Sequence, residues 1–171
     1  RPPRSTLFPY TTLFRSSMKL AYTYEDHHSA GAEWDRRDLK EWLTDVFEAP
    51  AVKIAPRCTP DIRKHVETEF LKEGWALNVN LDQAHGLSVF AMQDDLAFQL
   101  QTGNMSRAPY DLLKLQYLFQ SQKIEAAGIA LPTREAAKII GDNIANAERV
   151  IKELELFDRV ITVPILVVAF E

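Results

Sequence analysis

The sequence predicts an α/β domain, a mixed sheet with helices on both faces. Three features carry that expectation. Apolar residues recur at helical spacing on either side of a central stretch where the period changes to two. Two further runs, IEAAGIAL (124–131) and VITVPILVVAF (160–170), are almost wholly apolar, as in strands covered on both faces. Strand and helix signals also follow one another along the chain as helices, a hairpin, a helix, a strand, helices and a strand, the order of a mixed sheet flanked by helices.

Each element follows from local chemistry. MKLAYTY (18–24) is apolar and aromatic enough for an opening strand. Over 29–48, Trp34, Leu39, Trp42, Leu43, Val46 and Phe47 recur at helical spacing, and Pro50 marks the stop. A second helix begins with Thr59 as N-cap, Pro60 at the first position and Asp61 in the first turn. Its stripe is Ile62, Val66, Phe70 and Leu71, and Gly74 ends it. GLSVFAM (86–92) and LAFQLQT (96–102), joined by Gln93-Asp94-Asp95, form a hairpin by length and turn chemistry. Alternation sets Leu96, Phe98 and Leu100 on one face and Ala97, Gln99 and Gln101 on the other. Leu112, Leu113, Leu115, Leu118 and Phe119 define a helix over 108–122. Pro132 then stops the strand 124–131, and Thr133 caps a short helix reaching Ile140. Asn143 caps another, with the stripe Ile144, Ala147, Val150, Ile151 and Leu154. Pro164, inside the last apolar run, must sit at a bulge or where no ladder bond is needed.

The chain's 171 residues suit one domain with a substantial core. With 46% hydrophobic and 26% charged residues it is a poor candidate for disorder, and it has no apolar run of membrane-spanning length. One cysteine, Cys58, excludes an internal disulfide framework and fits a reducing, cytoplasmic setting. Residues 1–16 (RPPRSTLFPYTTLFRS) lack the apolar middle of a secretory signal. They resemble the translation of a short-read sequencing adapter. They are therefore expected to be a non-native, disordered leader, with Met18 as the native start and 17–171 as the one domain. Without Arg1, Arg4 and Arg15 the remainder carries 17 basic against 24 acidic side chains, a net −7. Binding to DNA would then have to rely on a local basic face.

Common chemical motifs are missing: there is no phosphate loop, GxGxxG, GxSxG or CxxC. His27-His28 reads as a solvated loop, because adjacent side chains in an extended segment point apart. Cys58 and His65 suggest a nucleophile and base without an orienting third group. Glu67 and Glu69, two apart on a helix, do not share a face. The informative stretch is the hairpin. Gln99 and Gln101 share one face of a strand otherwise suited to burial, so they are bonded internally or floor a cleft.

FQLQTGN (98–104) followed by YDLLKLQYLF (110–119) resembles the BglII/BstYI-type type II restriction endonucleases, of the PD-(D/E)XK nuclease superfamily. NIANAERVIKELELFDRVITVPILVV (143–168) and FLKEGW (70–75) extend the similarity in order along nearly all of 18–171. The resemblance implies a restriction-endonuclease-like mixed sheet and an active site on a hairpin. There, an Asp on the first strand is followed, after eight intervening residues, by Glu-x-Gln on the second. Two carboxylates hold Mg²⁺, which activates water and stabilises charge on the phosphate.

Placed on this chain, the pattern makes Gln101 the family Gln, Gln99 the residue at the Glu position and Phe90 the residue at the Asp position. Phe90 cannot ligate Mg²⁺, and Gln99 offers only a neutral amide oxygen. Each charge pair lost at about 4 Å is worth roughly 4 kcal/mol of gross attraction at an effective dielectric of about 20, so Mg²⁺ binding here is doubtful. Asp82 is the first candidate for a substitute ligand. Asp94, Asp95, Glu67 and Glu69 follow.

The resemblance also implies DNA contacts at Asn104, Arg107 and Lys114, with Lys123 and Arg134 as further phosphate partners. It implies Mg²⁺-dependent phosphodiester hydrolysis on double-stranded DNA by a homodimer, with a companion DNA methyltransferase. With both acids replaced, the alternative is a non-cleaving DNA-binding or dimerisation module with the same fold.

Overall fold

The computed structural model describes residues 17–24 and 27–171; the leader 1–16 lies outside them. Six strands form one sheet in the order β1-β6-β5-β4-β3-β2. In chain order these are β1 (Leu20–Tyr24), β2 (Ala76–Asp82), β3 (Leu87–Gln93), β4 (Leu96–Leu100), β5 (Ala126–Pro132) and β6 (Ile165–Phe170). β4, β5 and β6 run parallel, whereas β1 and the β2–β3–β4 meander pair antiparallel. β5 and β6 are buried along their whole length, as their apolar composition requires of central parallel strands. Pro164 stands just before β6, where its carbonyl accepts from Ala127 N (2.8 Å) and its missing N–H costs no ladder bond.

The helices are α1 (Ala30–Asp35), α2 (Lys40–Val46), α3 (Thr59–Lys72), α4 (Ala108–Gln120), α5 (Arg134–Ile140) and α6 (Ala147–Leu156). α1, α2 and α3 cover one face of the sheet with Trp34, Leu43, Val46, Ile62, Val66 and Phe70. α4 and α6 cover the other with Leu112, Leu115, Leu118, Val150 and Leu154. Among the described residues no helix is long and apolar enough to cross a membrane.

Several expectations need correction. Thr59 is the first residue of α3, and the cap position is Cys58, with no side-chain cap. The helix expected over 29–48 is two helices, because Asp38 takes a left-handed φ of 57° and Leu39 N turns back to the Trp34 carbonyl (3.1 Å). The break aims Trp34 and Leu43 at the same face, which one straight helix would not do. The last helix is capped by Asn146, whose Oδ1 accepts from Arg149 N (3.1 Å), not by Asn143. Residues before it are pinned in extended form, with Ile144 bridged to Asn104 and Ala145 N donating to Gly103 O (2.9 Å). β2 was not foreseen. Its two asparagines blur the alternation, and Asn78 lies at φ 49°, so the pattern switches faces in mid-strand.

That switch shapes the hairpin. Val79 and Val89 pair and pack towards α4 and α6, but Leu77 and Ala91, the next pair on the far side of Asn78 and Phe90, pack towards α3. β4 keeps the alternation read from sequence: Leu96, Phe98 and Leu100 face α3, while Ala97 faces α4. The β3–β4 turn is Asp94-Asp95, with Asp94 at φ 48°.

Candidate functional site

The floor beside β4 is built from Gln99 and Gln101 on the strand and Asp111 on α4. Asp111 falls on the buried stripe of α4, one turn from Ala108 and Leu115. Gln99 Nε2 donates to Asp111 Oδ1 (3.0 Å), and Gln101 Nε2 donates to Asp111 Oδ2. Their carbonyl ends are also taken. Gln99 Oε1 accepts from Phe90 N (3.0 Å), and Gln101 Oε1 accepts from Gly103 N (2.7 Å). These backbone donors fix both amide orientations, because a flipped amide would set N–H against N–H. Lys114 completes the group: Nζ lies 3.0 Å from Asp111 Oδ1 and donates to Ser88 O (3.0 Å), with its side chain only 13% exposed.

The residues present do not fit Mg²⁺. The ion wants several oxygen ligands with negative charge among them. Here both amide oxygens already accept backbone N–H groups. The one carboxylate receives two amides and an ammonium. The group is a closed, charge-balanced network of the kind a buried polar cluster needs.

Phe90 and Gln99 are neighbours, as the hairpin register requires, but their side chains lie on opposite faces. This corrects the expectation that both look onto one floor. The Phe90 ring packs among Phe70 (5.7 Å between centroids) and Phe98 (6.3 Å), under the Arg63 guanidinium (5.3 Å). An apolar ring gains by joining the aromatic core, and the face switch at Asn78 and Phe90 lets it do so.

Asp82 is engaged elsewhere. Its carboxylate caps the turn before β3, accepting from Ala84 N (2.8 Å) and His85 N (3.2 Å) and pairing with His85 Nδ1 (3.0 Å). The His85 contact holds its pKa below the usual carboxylate value. Glu67 pairs with Arg63 and Glu69 with Lys72, both in solvent. Asp95 is gripped by the Arg37 fork (2.8 and 2.6 Å), which lowers its pKa, while Glu33 and Glu125 share the same guanidinium. His65 gives its ring N–H to Val46 O (2.6 Å), and Cys58 is buried.

Asn104 and Arg107 lie exposed on the loop at the end of β4, beside Gln101. Asn104 Oδ1 caps the short 3₁₀ turn Met105–Arg107 through Ser106 N (2.9 Å). Lys114, by contrast, is spent on the floor and is not a free phosphate contact. Asp111 was missed from the sequence. The available signal was a lone carboxylate on an otherwise apolar helix stripe, beside two amides needing partners.

His27 and His28 depart most from expectation. His27 is only 2% exposed, and its Nε2 donates to Ile161 O (2.8 Å). Burial pushes its pKa below the ordinary imidazole value. His28 and Ser29 both take left-handed φ values, 54° and 61°, so the segment is not extended and the two rings meet edge-on at 4.6 Å.

The sequence profile of the restriction endonuclease BglII/BglIII family matches residues 22–170. No curated protein matches the chain in sequence. Among solved structures, the chain is similar to restriction endonuclease BglII complexed with a DNA 16-mer, at TM-score 0.63 and 11% identity, over 90% of this chain and 77% of that one. It is similar to free BglII at TM-score 0.58 and 13% identity, over 90% and 78%. The mixed sheet with helices on both faces is the BglII restriction-endonuclease fold, and the chain belongs to the restriction endonuclease BglII/BglIII family.

Proposed function

We propose that this chain is a type II restriction-endonuclease-like protein that binds double-stranded DNA without cutting it. One observation carries the reading: the hairpin floor is a closed network of Gln99, Gln101, Asp111 and Lys114, with Phe90 turned to the other side of the sheet. Mg²⁺-dependent hydrolysis needs negatively charged oxygens gathered on the ion, and this floor offers one carboxylate, already bonded to two amides and neutralised by an ammonium. DNA binding is supported by family membership, by the DNA-bound relative, and by the exposed Asn104 and Arg107 at the rim. Asn104 keeps its Nδ2 to donate to a base edge or a phosphate while Oδ1 caps the turn, and Arg suits a guanine or a phosphate.

The protein acts in the cytoplasm as a homodimer on a short palindrome, since two-fold protein symmetry matches two-fold DNA symmetry. Tyr110, Leu113 and Tyr117 form an exposed stripe along α4, which supports association between copies. A companion DNA methyltransferase encoded beside this chain would instead favour an active nuclease.

The deciding experiment incubates the full chain with plasmid DNA and Mg²⁺ or Mn²⁺ beside a gel-shift assay on duplex DNA. The expected result is retarded DNA with no nicked or linear product; metal-dependent nicking would overturn the loss of cleavage. A folded Gln99→Glu variant should still show no Mg²⁺-dependent nicking, because position 90 faces the aromatic side of the sheet and supplies no second carboxylate. Nicking by that variant would overturn the reading of the floor.

A further inference from the structure

We infer that His27, His28 and Asp158 form a binding site for a zinc-class dication, joining the segment before α1 to the turn between α6 and β6. One ligand atom from each of the three lies within 4.8 Å of the others. The site is distinct from the hairpin floor. His27 O accepts from Ile165 N (3.3 Å) at the start of β6, whereas Gln101 follows the end of β4.

Two imidazoles and a carboxylate are the donor types a borderline dication prefers, and three protein ligands plus water make an ordinary four-coordinate shell. His28 Nε2 and Asp158 Oδ1 are 3.2 Å apart. Two ligands bound to zinc at about 2.0–2.2 Å across a tetrahedral angle stand about 3.3 Å apart, so this pair already spans one edge. His28 Nε2–H donates to the Asp158 backbone carbonyl (3.1 Å), and the ion would displace that proton. His27 is oriented from behind: its Nε2–H is committed to Ile161 O (2.8 Å), which leaves the Nδ1 lone pair as the ligand. A histidine that ligates a metal through one nitrogen commonly donates the other N–H to a carbonyl in this way.

The backbone supports the same reading. Consecutive left-handed residues at His28 and Ser29 turn the two rings together, at a conformational cost for residues other than glycine. Asp158 sits in a turn closed by Val160 N and Ile161 N on Phe157 O (both 2.8 Å), so its carboxylate is presented from a fixed backbone. Both His28 and Asp158 reach solvent, which leaves the ion a way in.

The test titrates the full chain with Zn²⁺ against a chromophoric chelator and, separately, with Co²⁺ read by its visible absorption. One equivalent should bind, with the cobalt spectrum of a four-coordinate site and a raised melting temperature in Zn²⁺. His28→Ala and Asp158→Asn, both at solvent-reaching positions, should stay folded by circular dichroism and each weaken binding about tenfold or more. His85→Ala, which removes the other His–Asp pair, should leave affinity unchanged. Absence of binding by the unaltered chain would overturn the site, as would undiminished affinity in either the His28 or the Asp158 variant.

Discussion

The two faces of the sheet are built differently. Towards α1–α3 the core is aromatic: Trp34, Phe47, Phe70, Trp75, Phe90, Phe98 and Phe170 are all buried there. Trp34 stacks on Trp75 (5.9 Å), Phe47 on Phe170 (5.5 Å), and Phe98 reaches Phe70 at 4.8 Å. Towards α4 and α6 the buried side chains are aliphatic, and the polar groups Gln101, Asp111 and Gln116 sit among them. The aromatic face is a packing device, whereas the aliphatic face carries a wired polar floor. Phe90, at the position where the family resemblance places an acid, lies on the packing side.

The contrast predicts unequal responses to substitution, and the largest belongs to the aromatic face. Phe98→Ala should cost about 3–5 kcal/mol in urea denaturation, because the ring touches Trp34, Phe47, Phe70 and Phe90 and its cavity cannot be refilled. Gly128 makes that packing possible: a Cβ there would stand 2.8 Å from Phe98 and 2.9 Å from Trp34.

On the polar face, Asp111→Ala should cost about 3 kcal/mol by leaving two amide N–H groups without acceptors and Lys114 without its counter-charge. Replacing Gln99, Gln101 and Asp111 together by leucine should cost more than Asp111→Ala alone, since it also strips the acceptors from Phe90 N and Gly103 N. If the triple variant is the milder one, the floor is held by shape and not by its hydrogen bonds. Gln116→Leu should follow at about 2 kcal/mol, because Gln116 Oε1 accepts from Thr162 N (2.8 Å) and Val163 N (2.9 Å).

The hairpin tip should matter least. Arg37→Gln removes a guanidinium shared by Asp95, Glu33 and Glu125, whose carboxylates reach solvent, and should cost about 1 kcal/mol at neutral pH. Because Arg37 lowers the folded pKa of Asp95, the pair's contribution is present above the unfolded carboxylate pKa. It disappears as pH falls through the lowered folded value. Thermal melts of the unaltered chain and Arg37→Gln should therefore begin to draw together as pH falls through the ordinary carboxylate value of about 4 and converge below the lowered folded value. Deleting residues 1–16 should leave the melting temperature unchanged. A fall of several degrees would mean that this segment packs on the domain.

Local chemistry was enough for much of this molecule. The hairpin, the facing of Phe98 against Gln99, the Thr133 cap and the buried strands β5 and β6 all follow from periodicity and side-chain type, although Gln93, read as part of the turn, is the last residue of β3. Those features depend on neighbours a few residues apart. Three outcomes did not: the face switch at Asn78 and Phe90, the burial of Asp111 beneath two amides, and the meeting of His27 with His28 and Asp158. Each is settled by groups from distant segments competing for the same buried space or the same hydrogen bond. Periodicity along one strand or helix holds no information about that competition, so only the assembled fold decides it.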